Sequence, residues 1–494
     1  MAALLFQAAL TQMVAGQEIA APSHSSESTE ELVQRLTVAV SQAQLQMSAY
    51  QQQLKSLQDQ LAALQQKVAL EKSPGSVTPA QSNLADAGTS LASNAPSLDD
   101  LGERLAMQES QIATQELTKV ETTSKFPLKV SGLVLFNAFV NTRQVDSAAD
   151  PSYALQGGGS TGISLRQTVL GFDARGPHMF GATTRADLRA DFFSNAAQQG
   201  YAAGLMRLRT AHAAMTWDHT EAFFQLDRPL FSPNEPTSLV ATAQPELAWS
   251  GNLWTWNPQA GVSQQIAITD SKSIKLQGAL IDVADPNFPG SGPGASVSES
   301  ERSRWPGSEA RVAFAAGRPD EGFEIGAGGY FSPHETSDLQ RYNAWAGTAD
   351  LRLPLGRYLE ITGSAYRGAA LGGLGGGGFV DYVYQYAVPV DTVRPLDDVG
   401  GWSQLKIKPT QRFQLNGGLG TDNPFAKEIA RAGSGSGYSL YPGLVRNRSL
   451  FGNAIFSPSV SLLFSLEYRR MMTDYIGEPA NNSDVIGIGA GYRF

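Results

Sequence analysis

The sequence predicts an all-β fold, a 16-stranded antiparallel transmembrane β-barrel preceded by an N-terminal α-helical coiled coil. Three observations predict it. From Lys129 onward, apolar residues recur at every second position, the period of strands with one wet and one apolar face. Between these segments, short and long connections alternate. Residues 31–70 follow another rule, an unbroken 3,4 spacing of apolar residues that belongs to coiled-coil helices.

Composition narrows what such a chain can do. Of 494 residues, 42% are hydrophobic and only 17% charged, a low share for a water-soluble globule, and 50 are glycine. The net charge of −9 offers no basic surface to nucleic acid. Cysteine is absent, which removes disulfides, thiolate zinc sites and cysteine nucleophiles together. Beyond the N-terminus, no apolar run reaches the roughly 20 residues of a membrane-spanning helix. Ala2 to Leu10, followed by Val14-Ala15-Gly16, resembles a secretory signal peptide over 1–16 that lacks its basic start.

Residues 17–72 are expected to form the coiled coil. Val33, Leu36, Val40, Ala43, Met47, Tyr50, Leu54, Leu57, Leu61, Leu64 and Val68 make its seam, with no Gly or Pro inside the run. A helix of 40 residues spans roughly 60 Å. That length and so narrow a stripe suit self-association better than packing on the chain's own domain, so the seam predicts a homo-oligomer. It mixes Val, Leu, Ala, Met and Tyr, which leaves dimer and trimer both open. Residues 73–96 are small, polar and punctuated by Pro and Gly, the composition of a flexible linker. Ser97-Leu98-Asp99-Asp100 is a capping-box pattern that opens a short amphipathic helix over 97–118, with Leu98, Leu101, Leu105 and Ile112 on one face.

Residues 126–494 are assigned to the barrel. In KVSGLVLFNAFVN, Val130, Val134, Phe136, Ala138 and Val140 share one side. In SVSLLFSLEYRR, Val460, Leu462, Phe464, Leu466 and Tyr468 do the same. SLRQTVLGFD does not alternate cleanly. Tight connections at 173–181, 218–222, 270–273, 317–322, 353–357, 408–411 and 457–459 interleave with longer ones near 141–162, 193–204, 229–261, 283–308, 332–343, 367–399, 421–447 and 472–483. A membrane barrel puts its short turns at one end and its long loops at the other, and closure pairs every backbone group. The apolar faces then meet lipid and the polar faces line a lumen.

The chain closes with DVIGIGAGYRF. Phe494, Tyr492, Ala490, Ile488 and Ile486 fall outward, and Gly491, Gly489 and Gly487 inward, where bare backbone leaves room for a loop. A last strand that ends on Phe is similar to the signal read by the bacterial barrel assembly machinery, with Phe494, Tyr492 and Ile488 as its candidate residues.

Signal peptide, coiled coil, linker and sixteen strands together resemble the trimeric DcaP-like outer-membrane porins. KVSGLVLFNAFVN is similar to that family's first strand, RQTVLGFDARG to its second strand and turn, NAIFSPSVSLLFSLEYRR to its penultimate hairpin, and GIGAGYRF to its last strand. The likeness spans most of the chain in architecture and only short segments in sequence. It implies a homotrimer in the bacterial outer membrane, a periplasmic coiled coil, and passive diffusion of small hydrophilic solutes without a cofactor. Outer-membrane lipid and the barrel assembly machinery are the implied partners, with peptidoglycan a further one for the stalk. Two other readings stay open, a structural or adhesive barrel tethered to the cell wall by its stalk, and a sugar-selective porin.

The polar faces hold the candidate pore-lining residues. TTRADLRADFF puts Arg185, Asp187, Arg189 and Asp191 on one face, and Arg207 and Arg209 share another. Arg311, Glu360, Lys406, Glu467 and Arg469 fall on the polar faces of their strands. Basic residues outnumber acidic ones here, and the planar Arg fork suits carboxylate and phosphate, so a mild preference for small anions is expected. The alternative is that these charges pair across strands and only keep the wall wet. The connection 229–261, with Trp249, Trp254 and Trp256, is a candidate constriction loop or else an aromatic cap or trimer contact at the membrane boundary. GAALGGLGGGG at 368–378 lacks the Lys-Ser/Thr ending of a phosphate loop and reads as a flexible outer loop. Of five histidines, only His212 falls within a strand, His334 being placed in a loop. No Gly-x-Ser-x-Gly elbow or His-Glu-x-x-His motif occurs in a fitting context, so neither an enzyme nor a metal site is expected.

Overall fold

The computed structural model describes residues 128–194, 204–285, 297–317, 322–385, 392–433 and 443–494. The signal peptide, coiled coil, linker and short helix expected over 1–118 lie outside the described residues.

The wall begins with β1 (Leu128–Val145), β2 (Ala154–Ser164), β3 (Val169–Arg175), β4 (Thr183–Ser194), β5 (Leu205–Thr216) and β6 (Thr220–Asp227). It continues with β7 (Asn257–Thr269), β8 (Lys272–Ile281), the single-turn α1 (Glu299–Arg302), β9 (Gly307–Ala316), β10 (Phe323–Glu335), β11 (Arg341–Leu355) and β12 (Leu359–Ala369). A small hairpin, β13 (Tyr382–Gln385) and β14 (Thr392–Pro395), precedes β15 (Asp397–Ile407), β16 (Phe413–Pro424), α2 (Ala426–Gly433), β17 (Leu444–Phe456), β18 (Leu462–Tyr475) and β19 (Asn481–Arg493).

One antiparallel sheet holds every strand except β13 and β14, which pair with each other. It closes on itself, because β19 pairs with β1 from Leu133↔Arg493 to Asn141↔Val485. Both β2 and β3 pair with β1, β3 along its first half and β2 along its second. They share one place in the wall, so the sheet's 17 strands make a barrel of sixteen. The break between them, 165–168, is where the sequence loses its alternation. There Leu165 is exposed while Gln167 is fully buried and reaches inward.

Among the described residues, the tight turns 217–219, 270–271 and 356–358 lie at one end of the barrel, and the long connection 228–256 leaves and rejoins the wall at the other. Three of the expected long connections are shorter than their sequence suggests: 146–153, 336–340 and 476–480 remain between strands. Polar residues near the loop end go on pairing across the hairpins, as Arg446 and Arg448 do with Asp474 at 2.6 and 3.2 Å and Arg470 does with Asp484 at 3.1 Å. His334 belongs to β10 rather than a loop, buried with its Nδ1 3.2 Å from the Tyr342 hydroxyl.

The outer wall is apolar and exposed. Phe136, Val140, Leu450, Leu466, Ile486, Ile488 and Tyr492 all project outward, the reverse of a globule's arrangement and the arrangement that lipid favours. Phe494 continues the closing ladder, since its N–H donates to the Gly132 carbonyl at 3.1 Å and its own carbonyl accepts from Gly132 at 3.0 Å. A side chain at Gly132 would meet the Phe494 ring at 2.5 Å, so glycine there is what lets the ring lie across β1.

Candidate functional site

Among the described residues, the interior is shaped mainly by two connections that fold inward. The first, 228–256 between β6 and β7, is the candidate constriction loop. Inward-facing polar side chains of the wall satisfy its backbone, as a loop removed from bulk water requires. Glu309 accepts from the Leu230 N–H at 2.7 Å, Thr348 donates to the Phe231 carbonyl at 2.7 Å, and Gln404 accepts from the Thr237 N–H at 2.6 Å. Asn453 donates to the Thr237 carbonyl at 2.8 Å, and Asn137 to the Leu239 carbonyl at 3.2 Å. Gln167 holds both the Val240 carbonyl and the Thr242 N–H at 2.6 Å. The loop so crosses from β9 to β1 and lies on the bare backbone of β19. A Cβ at Gly487 would fall 2.4 Å from Val240, and one at Gly489 3.4 Å from the Leu239 carbonyl oxygen.

The second connection corrects an expectation. The Gly-rich stretch 368–378 is not a flexible outer loop. It is buried against the loop half of the inner wall in two 3₁₀ turns, Gly372–Leu374 and Gly377–Phe379. Composition suggests flexibility, but here glycine serves close approach. A Cβ on Gly373 would meet the Ala284 carbonyl oxygen at 2.2 Å, and one on Gly375 the Trp254 ring at 2.7 Å. Leu371 and Leu374 join an apolar cluster with Phe231 and Leu253 of the constriction loop and Tyr330, Tyr342 and Tyr366 of the wall. Three buried acids hold the backbone. Asp381 accepts from Gly372 N–H at 2.7 Å, Asp398 from Gly377 N–H at 2.8 Å, and Asp422 from Gly378 N–H at 2.9 Å.

The candidate pore charges all sit on inward positions, yet they divide into two groups. In the turn half, Arg185 pairs with Glu221 at 2.7 Å, Arg189 with Asp173 at 2.6 Å, and Lys406 with Glu360 at 3.1 Å, all at least partly open to the lumen. His212 lies between Asp187, at 3.5 Å, and Glu221, at 3.4 Å. Asp191, Arg311, Glu467 and Arg469 do not line open water. They are buried, because partners from the wall and the constriction loop cover them. Arg311 forks onto Asp350 at 2.9 and 2.6 Å and also bonds Glu324 at 2.6 Å. Arg469 bonds Glu246, Glu467 at 3.5 Å and the Pro151 carbonyl at 2.7 Å. Burial pushes the Glu246 carboxyl well above the usual carboxylate range and that of nearby Asp150 up to about 7, while Arg469 pulls both back. Arg207 forks onto Asp191 at 2.7 and 3.0 Å and ties in the constriction loop through the Ala243 carbonyl at 2.5 Å.

Arg209 differs from the other candidate cations. It is the extra residue of a β-bulge, where Arg189 pairs with Thr210 and Ala190 with Leu208. Such bulges re-aim side chains. Its guanidinium lies 5.2 Å from the Trp256 ring centre, beside that of Arg207 at 5.1 Å. Among the described residues no carboxylate comes within 4.0 Å of it. Trp249, Trp254 and Trp256 all pack inside the barrel, against one another, Phe379 and the guanidinium groups of Arg207 and Arg209. Trp254 stands edge-on to both neighbours, 6.2 Å from Trp249 and 5.3 Å from Trp256. Sequence reasoning missed Gln167, Glu246, Asp350, Asp398 and Asp422. Only Gln167 left a trace, in the broken alternation of its strand.

No family model and no curated protein matches the chain. Solved structures do. The outer membrane channel DcaP of Acinetobacter baumannii is similar over 76% of this chain and 100% of its own, with TM-score 0.57 and 14% identity. An anion-selective porin from Comamonas acidovorans covers 75% of this chain and 100% of its own, at TM-score 0.47 and 9% identity. OmpF of Salmonella typhi covers 74% and 98%, at TM-score 0.45 and 9% identity. The fold of this chain, a closed 16-stranded antiparallel barrel, is that of the DcaP channel.

Proposed function

We propose that the chain is an outer-membrane porin that lets small hydrophilic solutes diffuse passively, with a mild preference for anions such as carboxylates or phosphate. The barrel supports the channel reading, and Arg209 carries the preference. The other candidate cations have carboxylates within 4.0 Å that offset their charge locally, whereas Arg209 has none among the described residues. A cation at a constriction with no carboxylate in direct contact replaces part of an anion's hydration. The aromatic residues of the loop favour this reading over a sugar channel, because their rings pack on one another rather than forming an open row of faces. Reversal potentials in a salt gradient test it. The wild type is expected to lean towards anions, and Arg209→Gln to lose most of that preference while keeping its conductance. A cation-selective wild type would contradict the proposal.

The candidate assembly signal, Phe494, Tyr492 and Ile488, lies on the lipid side of the closing strand, consistent with a role in insertion. The stalk, with its seam from Val33 to Val68, is proposed to hold the homo-oligomer in the periplasm.

A further inference from the structure

We infer that the strap Leu371–Phe379 is a second constriction element, clasped to the constriction loop by the stacked rings of Trp249 and Phe379, and that the two connections together set the size of solute that passes. The inference rests on the channel reading and goes beyond it, because a single inward loop would suffice for a pore.

Four observations carry it. The strap lies inside the barrel, bonded to the inward carboxylates Asp398 and Asp422 of β15 and β16, so it takes volume from the lumen. It also meets the constriction loop through the backbone. The Trp254 N–H donates to the Leu374 carbonyl at 3.1 Å, and the Thr255 hydroxyl to the Gly373 carbonyl at 2.8 Å. Next, Trp249 and Phe379 stack with ring centres 3.8 Å apart and planes 24° from parallel. Among the described residues they are the one stacked pair that joins the two connections, and Tyr153 of the β1–β2 connection adds an edge-on contact at 5.0 Å. Finally, both residues sit in the left-handed region, Trp249 at φ +60° and Phe379 at φ +70°. Bulky side chains avoid that region, and strain of this kind persists where the surroundings impose it and gathers at functional contacts.

Single-channel recording and a solute-size series in liposome swelling test the inference, on the full chain. Phe379→Ala and Trp249→Ala are each expected to raise conductance and admit larger neutral solutes. The double variant should gain no more than the larger single effect, because either change opens the clasp. The chain has no cysteine, so Phe379→Cys supplies a unique thiol. A bulky thiol reagent should then cut the current, whereas the same reagent on Leu339→Cys, at the exposed tip between β10 and β11, should not. Current and size limit unchanged from wild type in both alanine variants, with no reagent effect at Phe379→Cys, would overturn the inference. A wild type that passes no current would instead overturn the channel reading, and the strap's role with it.

Discussion

Arg469 draws its partners from three stretches of chain: Pro151 from the β1–β2 connection, Glu246 from the constriction loop and Glu467 from β18. Removing one member of a buried ion network leaves the others desolvated and unpaired, which costs about 3–5 kcal/mol. Arg469→Gln should therefore destabilise the detergent-solubilised barrel by that order in a urea titration and make the open current noisier. Unchanged stability would mean that the guanidinium is not holding the loop. At Gly487 the limit is steric. With Val240 2.4 Å from a new Cβ, Gly487→Val overpacks the contact, at a cost of about 1–3 kcal/mol, and should displace the constriction loop. A shifted conductance at preserved folding checks this. At this scale the sequence shows which face each charge takes, because alternation assigns faces. It does not show which charges are buried, because Glu246 lies 223 residues from Arg469.

The strap is an element whose behaviour should follow pH. Burial raises the Asp381 carboxyl from 3.8 to about 7, with Glu299 and Asp285 repelling its charge and the N–H groups of Gly372 and Gly373 partly restoring it. The docked strap holds this proton more tightly than the undocked one. Docking is then strongest while Asp381 is protonated, and it weakens as pH rises from near 4 to about 7. Wild-type conductance should increase between pH 5 and pH 8, and Asp381→Asn should flatten that increase. An identical profile in the variant would remove Asp381 from the account. The strap was illegible in the sequence for a physical reason. A run of glycine has no side chains to pattern, so its composition suggests freedom. Its order comes from acids on β15 and β16 that only the closed barrel brings alongside.

The whole barrel was legible because its solvent is inverted. Lipid favours apolar side chains on the outward face, and residues such as Leu450, Leu466 and Ile488 supply them strand after strand. The strand count followed from the alternation of turns, although three loops proved shorter once polar hairpin ends were seen to stay paired. Assembly is argued at this scale too. Deleting residues 31–70 should leave the barrel folded, since the described residues close its sheet among themselves, and should weaken the oligomer. Heat-resistant bands on a semi-native gel would report both, and an unchanged oligomer band would assign the stalk another task.

The central claim is that this barrel is an open, mildly anion-preferring diffusion channel. Planar-bilayer recording of the purified full chain under a salt gradient tests it most directly. The account predicts stepwise current increments with a reversal potential on the anion side. Insertion without any steps, or a reversal potential on the cation side, would contradict it.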